Sequence, residues 1–449
     1  MRSKKFLLLG LLVCSFCVSL GQDKVVKLSF KEAVRLGIEN NVTVNQERNQ
    51  LEYTQVNKTS SLLQLGPSVY GQGNVYRTDG NTFNPNDLTV VNGIFDYVGG
   101  SINANMPLFS GFTFMNQFRA ASSNNEAQLH KVVRSNQDVI AKVSSQYLQC
   151  LLDQQLVKVN EENVRVQKVT YDQIKEQADL GAKAEGDVYN QEYLWRNAEL
   201  ALVQSRNKLK NDIAALSITL QTDPGVYIEV DQVDWDINML IADSTTYDVM
   251  VSTAIDRRSD LKQAGYAEKG ARASYSARKG YYFPSIYAGV SYGSRYNYVK
   301  GEDNRSFKDQ FTKDNIALSY GLSINIPIFN SFTYRAQTAL ARVNYNNATL
   351  AKKNAEVTVK SDVVLAYQNF NDAKTTYFTS QAQLKASEFA YNMEKERYDL
   401  GISNIVQLST VSQAYVRAQG DFQTATYTLM FQKILISYAM GTLQVEDIP

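Results

Sequence analysis

The residues that could carry acid–base, nucleophilic or metal chemistry are few in this chain of 449 residues. The one histidine, His130, lies in a polar stretch of helical character, where a solvated surface histidine is far commoner than a metal ligand. No phosphate-binding glycine loop, GxSxG turn or HExxH motif occurs. The many carboxylates are interspersed with lysine and amide residues, as on solvated helix faces. The sequence therefore predicts a protein that is not an enzyme, with no catalytic residue, metal site or cofactor.

The first 21 residues have the pattern of a cleaved export signal, with three basic residues before a short apolar core and an expected cut at Gln22. Cys14 and Cys17 leave with this signal, so no disulfide framework is predicted and Cys150 remains alone. Neither signal cysteine follows the small residue expected ahead of a lipidated cysteine, which disfavours a lipid anchor. Losing three cations changes the formal charge from +1 to −2, which does not favour nucleic acid as a partner.

Four segments alternate apolar residues with small or polar ones at every second position, which is typical of strands with one apolar face. The clearest is 315–329, in which each even position from Ile316 to Ile328 is aliphatic or tyrosine. Strands of globular proteins usually have about 5–6 residues, whereas bilayer-spanning strands need roughly 9–11. None of the apolar-face positions from Val69 to Val75, from Val98 to Leu108 and from Ile286 to Tyr292 is charged, as a lipid-facing surface requires. The sequence therefore predicts membrane strands at 66–77, 94–109, 283–298 and 315–329.

The chain is an internal duplication. NMPLFSGFTF at 105–114 matches NIPIFNSFTY at 325–334 with a shift of 220 residues, and the tripeptide DLG recurs at 179–181 and 399–401 with the same shift. Gly111 and Gly181, and likewise Ser331 and Gly401, are 70 positions apart with no glycine or proline between them, and aliphatic residues recur there at helical spacing. Val343, Leu350, Val357 and Val364 lie seven residues apart, as in a coiled coil.

These patterns predict the following organisation of the chain. A signal peptide occupies 1–21, and a first repeat occupies 22–216, with a long helix at 110–179 and a return helix at 184–216. A connecting segment at 217–246 joins it to a second repeat at 247–440, with a long helix at 330–399, a return helix at 404–440 and a C-terminal tail at 441–449. Polar loops are predicted at 78–93 and 299–314, on the outer side of the membrane.

Four strands cannot close a barrel, and an open sheet edge in lipid would leave backbone groups unpaired. The chain must therefore assemble with copies of itself. Two copies supply eight strands, whose interior side chains nearly fill the barrel, whereas three copies supply twelve and leave a polar lumen. Pro107 and Pro327 are expected to end strands at the transition to helix, because proline has no N–H group to donate.

The duplicated NxPxF strand ends, the helix-turn segments ADLGAKAEGDV and YDLGISNIVQL, and the ending GTLQVEDI resemble the TolC-like outer-membrane efflux family. The resemblance covers roughly 28–446. It implies a mixed α/β membrane protein, in which a trimeric 12-stranded β-barrel with four strands per chain continues into a long antiparallel α-helical coiled-coil barrel. It also implies a homotrimer in outer-membrane lipid, with a periplasmic tunnel that meets a periplasmic adaptor protein and an inner-membrane transporter.

The resemblance assigns roles to residues near the two helix turns. The turns themselves are the expected adaptor-docking sites, formed by Asp179, Leu180, Gly181, Asp399, Leu400 and Gly401. Asp187 and Tyr398 occupy the positions of a latch that holds the family's tunnel tip closed, although Asp187 near a helix N-terminus is also favourable for the helix alone.

The family's acidic constriction corresponds to Gln407 and Thr410 in this chain, and an arginine often found nearby corresponds to Ser403. This departure predicts a weaker cation preference at the constriction than carboxylates would give.

Two other functions fit part of the sequence. A passive nutrient porin would have membrane strands, but it has no need of long helices without glycine or proline. A coiled-coil structural or adhesive surface protein would have the helices, and the strands and signal do not exclude it. The sequence indicates neither the exported substrate nor the partner pump.

Overall fold

A computed structural model of the chain describes residues 24–84, 88–223, 226–233, 235–242 and 246–448. The predicted export signal and its cleavage position lie outside these residues. The chain divides into two compact units. The turn unit comprises Met1–Asn45, Asn136–Thr253 and Asp362–Pro449, and the strand unit comprises Gln46–Ser135 and Ala254–Ser361. No helix in the described ranges combines the length and hydropathy that a membrane-crossing helix requires.

The elements of the first repeat are, in order, β1 (Lys24–Leu28), α1 (Phe30–Asn40), α2 (Val42–Leu63), β2 (Ser68–Asn84), β3 (Thr89–Ser110), α3 (Thr113–Asp179) and α4 (Glu185–Leu220). The connecting segment contains β4 (Val226–Val230) and α5 (Ile237–Ala242). The second repeat contains α6 (Tyr247–Arg257), α7 (Ser259–Gly280), β5 (Ser285–Val299), α8 (Phe307–Asp309) with a π-helical turn (Gln310–Asp314), β6 (Ala317–Asn325), α9 (Thr333–Asp399) and α10 (Ile405–Met440).

The duplication is visible in the helix lengths. The long helices α3 and α9 both have 67 residues, and the return helices α4 and α10 both have 36. A helix of 67 residues is about 100 Å long at 1.5 Å per residue. The heptad residues Val343, Leu350 and Val357 of α9 are more than half exposed in the single chain. This apolar stripe is therefore left uncovered within one copy.

The strand unit is built on one antiparallel sheet with the order β2-β3-β5-β6. Each outer strand, β2 and β6, has one edge without a partner in the described part of the chain. β2 and β3 form a hairpin of seventeen residue pairs, from Ser68 opposite Asn105 to Asn84 opposite Thr89. The polar loop predicted at 78–93 is therefore wrong over most of its length. Backbone pairing continues through polar residues because the ladder does not require an apolar side chain at each position.

β6 is shorter than predicted, because the alternating pattern at 315–329 forms strand only from Ala317 to Asn325. Asn325 pairs with Ser285, the first residue of β5, so the residues after Asn325 have no strand of this chain beside them. Ile326 and Ile328 are left exposed on either side of Pro327.

The predicted loop at 299–314 forms a compact segment instead of an open loop. The side chain of Gln310 is buried, its amide oxygen accepts from the Asn297 N–H at 3.1 Å, and its amide nitrogen donates to the Asn297 carbonyl at 2.9 Å. Asn315 donates to the Arg295 carbonyl at 2.9 Å. These amides occupy the edge of β5 at Arg295 and Asn297, which β6 does not reach because it begins at Ala317 opposite Gly293.

The two prolines do not have equal positions. Pro107 lies inside β3, where the pairing with β5 shifts between Pro107 and Phe109 before the strand continues to Ser110. The expectation that Pro107 ends a strand is wrong, since a proline without an N–H is tolerated at such an irregularity of the ladder. Pro327 lies two residues beyond the end of β6.

The turn unit has a core where β1 pairs in parallel with β4. Tyr147 of α3 is fully buried there, and its hydroxyl donates to the Leu28 carbonyl at 2.8 Å or the Asp231 carbonyl at 2.9 Å. Its ring stacks on Phe30 of α1 at 4.7 Å between centroids. The pairing of β1 with β4 and the Tyr147 hydroxyl therefore both join the connecting segment to β1.

Cys150 is fully buried in this core, and burial raises the pKa of its thiol to about 12. Because the thiolate is the reactive form, we expect no modification by a maleimide in the folded protein and complete modification after denaturation. Mass spectrometry before and after denaturation measures this. Rapid labelling of the folded protein would contradict the burial of Cys150 in the packing of α3.

A buried carboxylate of α3 interacts with an exposed lysine of α4. The Asp153 side chain is 1% exposed, and Lys208 Nζ lies 2.5 Å from its Oδ1 and 3.2 Å from Oδ2 of Asp212. Burial, reinforced by the neighbouring Asp212 carboxyl, raises the pKa of Asp153. The folded state therefore binds the Asp153 proton more tightly than the unfolded state does. This contribution to stability is present at low pH and is lost as pH rises through the raised pKa.

Removing the Lys208 cation should destabilise the protein in a pH-dependent manner. We expect Lys208→Gln to lower the free energy of unfolding by about 1–2 kcal/mol near pH 8, where Asp153 would be ionised and buried without its cation. The loss should shrink near pH 4, because Asp153 then accepts a proton. Unfolding in detergent at the two pH values tests this, with exposed Lys210→Gln as the matched control. An equal loss at both pH values would contradict the role of Asp153.

Candidate functional site

The two helix turns of the turn unit share one backbone geometry. After α3, the Gly181 N–H donates to the Ala178 carbonyl at 2.9 Å, and the Ala182 N–H donates to the Gln177 carbonyl at 2.8 Å. After α9, Gly401 and Ile402 donate in the same way to Tyr398 and Arg397. Both glycines have φ of +74°. This is the Schellman arrangement, in which a left-handed residue ends the helix and satisfies its last carbonyl groups.

The predicted docking residues are all exposed at these turns: Asp179, Leu180, Gly181, Asp399, Leu400 and Gly401. Leu180 is 79% exposed and Leu400 is 74% exposed. A leucine with this exposure gains nothing from the fold of a single chain. Ile402 and Val406, next to the second turn, are also exposed.

Beneath the turns lies a small apolar cluster formed by Ile174, Ile405 and Leu408, with Tyr391, Tyr398, Val188 and Val411 packed around it. Burial raises the pKa of the Tyr398 phenol, and the Asp187 and Asp399 charges add to this. The Tyr398 hydroxyl is buried and has no hydrogen-bond partner within the described chain. Lys183 Nζ lies 5.0 Å from the centroid of the Tyr398 ring.

Asp187 is the third residue of α4, whose N-cap residue Ala184 makes no side-chain hydrogen bond. Its carboxylate is therefore close to the positive end of the helix dipole, and close enough to Tyr398 to affect the pKa of that phenol. The single chain brings the two predicted latch residues near each other without a hydrogen bond between them.

The two predicted constriction residues are exposed in the first turns of α10. The N–H of Gln407 donates to the Asn404 side chain at 3.0 Å, which begins the helix. The Thr410 hydroxyl donates to the Val406 carbonyl at 2.9 Å, so its hydrogen is used within the helix. Neither residue supplies a carboxylate.

A polar network next to Gln407 was missed by reasoning from the sequence. The Ser403 hydroxyl donates to the Glu394 carboxylate and lies 3.0 Å from Gln407 Oε1. Arg397 donates to the same carboxylate at 3.0 Å. The i,i+3 spacing of Glu394 and Arg397 was a usable signal, but the approach of Ser403 depends on how the turn folds. The carboxylate nearest Gln407 in this network is thus neutralised by Arg397.

The other chemistry-bearing residues fall outside this site. His130, in the strand unit, stacks on Tyr266 with 5.5 Å between centroids, and burial lowers the pKa of its imidazole. Among the described residues, no group of three or more histidine, cysteine, aspartate or glutamate side chains could hold a metal ion.

The fold and the paired turns place this chain in the class of proteins that join a four-stranded antiparallel sheet to two long helical hairpins. The profile of the family described as outer membrane efflux protein matches residues 38–220 and 250–442. The chain belongs to this family, and the resemblance predicted from the sequence is confirmed.

Individual relatives are distant in sequence. The chain is 23% identical over 279 residues to the toluene efflux pump outer membrane protein TtgC of Pseudomonas putida, covering 59% of this chain and 52% of TtgC. It is 21% identical over 279 residues to the outer membrane protein TolC of Escherichia coli, covering 62% of this chain and 56% of TolC. The chain thus spans about half the length of the curated relatives it matches.

The fold is shared much more completely. The crystal structure of the outer membrane protein VceC from Vibrio cholerae superposes with a TM-score of 0.80 at 13% identity, covering 92% of this chain and 96% of VceC. Residues from both repeats are therefore arranged as in a solved outer-membrane protein, although few side chains are shared.

Proposed function

We propose that this protein is an outer-membrane channel-tunnel, the exit duct of a tripartite efflux or type I secretion system. Its strands cross the outer membrane and its helices form a tunnel in the periplasm. The tunnel opens at its helical tip when a pump complex docks. The partners are a periplasmic adaptor protein and an inner-membrane transporter, and the names of relatives such as the toluene efflux pump protein TtgC support the direction of transport.

The observation that carries the proposal is the apolar face of the open sheet. Val69 of β2, Ile102 of β3 and Leu322 of β6 are 67%, 59% and 69% exposed on this face. Exposed aliphatic residues clustered on one sheet face are costly in water, and they suit the hydrocarbon of a bilayer. Lipid is therefore the medium that best covers this face.

The two open edges of the sheet support a trimer. In lipid, β6 of one copy must pair with β2 of the next, because an unpaired strand edge there leaves backbone groups unsatisfied. Three copies of the four strands give a barrel of twelve with a polar interior. The exposed heptad stripe of α9 supports helix packing between copies in a coiled-coil barrel.

The exposed turns after α3 and α9 support docking at the tip. An adaptor that covers Leu180 and Leu400 would bury apolar surface that the chain leaves in water. Asp187 and Tyr398 would form the latch that keeps the undocked tip closed. Gln407 and Thr410 would line a constriction without carboxylates.

Two experiments test the proposal. Purified protein should run as a trimer on gels without heating and as a monomer after heating, which a coiled-coil surface protein without a barrel would not do. Deletion of the gene should make cells more sensitive to toxic compounds and raise their retention of a fluorescent efflux substrate. Reduced uptake of nutrients without increased sensitivity would favour a porin and contradict the proposal.

A further inference from the structure

The sheet of the strand unit has a second face, which is polar. Directly paired residues of neighbouring strands lie on the same face, so the pairs Gln72–Ser101, Asn103–Ser291 and Gly99–Arg295 share it. Ser291 donates to Asn103 at 2.8 Å, and Asn103 donates to Ser101 at 3.0 Å, which places these three side chains on one surface. This face is opposite the apolar one and faces the lumen in the proposed barrel.

The charge on this polar face is confined to one residue. Among the described side chains of β2, β3, β5 and β6 on this face, Arg295 is the sole charged group, and no carboxylate is present. Asp96 lies on the apolar face at its border, where Arg77 binds it through two hydrogen bonds of 2.6 and 2.9 Å. An uncompensated cation on an otherwise neutral polar surface dominates the potential near it.

Arg295 is exposed, and its guanidinium forms no ion pair with any described residue. The segment 300–314 that follows it contains four basic and four acidic residues, so it contributes no net charge. Within that segment Arg305 pairs with Asp314 at 2.9 Å, and Lys313 lies 3.7 Å from Asp309.

The residue opposite Arg295 is a glycine, and its missing side chain makes room for a hydroxyl group. A Cβ atom on Gly99 would lie 2.6 Å from the hydroxyl oxygen of Tyr97. The Tyr97 ring is held in place by stacking on Tyr76, with 4.7 Å between centroids. The Tyr97 hydroxyl therefore occupies the side-chain space of Gly99, the residue paired with Arg295 in the ladder. A guanidinium and a hydroxyl without a competing carboxylate are a set of donors suited to an anion.

We propose that Arg295 and Tyr97 form an anion site in the strand-lined part of the pore, which makes it favour anions and solutes bearing a carboxylate or phosphate group. This inference rests on the proposed trimeric duct, in which three copies of Arg295 surround one lumen. The absence of carboxylates at Gln407 and Thr410 predicts only a weaker cation preference at the tip. Arg295 adds a predicted preference for anions in the strand-lined part of the pore.

The test is the reversal potential of the purified wild-type protein in a planar bilayer under a potassium chloride gradient. We expect chloride to be more permeant than potassium, and Arg295→Gln to lower the chloride-to-potassium permeability ratio roughly fivefold, because it removes the three unit charges that line the proposed lumen. Arg295→Lys keeps the charge and should keep most of the selectivity. Arg77→Gln changes the net charge equally on the apolar face and should leave the ratio unchanged.

The reversal potential of the wild-type protein at two salt concentrations tests the proposal without any variant. It therefore remains informative if Arg295→Gln does not fold. Anion preference should be clear near 0.1 M salt, where the Debye length is about 10 Å, and should fade near 1 M, where it is about 3 Å. A wild-type channel that prefers potassium, or an Arg295→Gln channel with the wild-type ratio, would overturn the anion site while leaving the duct intact. A folded wild-type protein without any conductance would overturn the proposed duct and the anion site together.

Discussion

Replacing Asp187 by alanine and Tyr398 by phenylalanine in one chain is expected to raise the single-channel conductance in a planar bilayer severalfold. The wild-type protein should give small, noisy currents, because the proposed latch keeps the tip closed. A hydrogen bond from a phenol to a shielded carboxylate contributes about 1.5–3 kcal/mol. Three latches would contribute roughly 5–9 kcal/mol if they were additive. Their loss would shift the balance between closed and open tips by orders of magnitude.

The structure shows why these two substitutions are suitable probes. The Tyr398 ring is packed in the apolar cluster beneath the turns, and its buried hydroxyl has no hydrogen-bond partner within the described chain. A buried hydroxyl without a partner costs free energy, so an acceptor reaching it in the closed tip would stabilise that state. Phenylalanine keeps the packed ring and removes only the hydroxyl. The effect of the Tyr398→Phe part is then attributable to the lost hydroxyl.

Each substitution has a matched control nearby. Glu185→Ala removes another carboxylate from the first turn of α4, and Tyr391→Phe removes another hydroxyl from the same cluster. Both controls should leave the conductance near the wild-type value. Large wild-type currents that the double substitution leaves unchanged would argue for a duct that is always open. A conductance raised equally by the controls would show that loosening of the tip, not loss of a latch, opens it.

The helices were predictable from the sequence because their formation is a local property. Stretches without glycine or proline, with aliphatic residues at regular spacing, run through α3 and α9. Each begins three residues later than predicted, at Thr113 and Thr333. The reason is visible at the first of these: Gly111 and Phe112 have φ of +61° and +63°, which a right-handed helix cannot include.

The strands were harder to delimit, because their ends depend on what lies beside them. Alternation continues past Asn325, but β5 begins at Ser285 and leaves the following residues without a partner. The seventeen pairs of the β2–β3 hairpin likewise continue beyond the apolar residues. At the candidate site, the glycines of the turns could be located, whereas the approach of Ser403 to Glu394 across a turn could not.

The strand-to-helix junction carries the second large expected effect. We expect Gly111→Ala to lower the free energy of unfolding by about 2–5 kcal/mol and to reduce sharply the yield of assembled protein. A left-handed residue with a side chain costs about 1–2 kcal/mol. An overpacked contact adds about 1–3 kcal/mol. A Cβ atom on Gly111 would lie 2.2 Å from the carbonyl oxygen of Gly280, and backbone cannot move aside as a flexible side chain can.

The duplication supplies a natural control for the conformational part of this effect. Ser331 occupies the position equivalent to Gly111 in the second repeat and has φ of +53°, so a side chain is tolerated there in the same backbone region. The positive φ alone therefore does not require glycine at this junction. What distinguishes Gly111 is its close approach to Gly280 at the end of α7.

Gly181→Ala is the matched substitution that separates the two causes. Gly181 has φ of +74°, but no atom lies within 4 Å of where its Cβ would be. We therefore expect Gly181→Ala to lower the free energy of unfolding by only about 1–2 kcal/mol, which is the cost of a side chain in the left-handed conformation. Unfolding in detergent, and the fraction that runs as the proposed heat-modifiable trimer, measure both variants. A loss in the free energy of unfolding that is no larger for Gly111→Ala than for Gly181→Ala would contradict this explanation. The close packing of Gly111 on Gly280 would then not be what stabilises the sheet against α7.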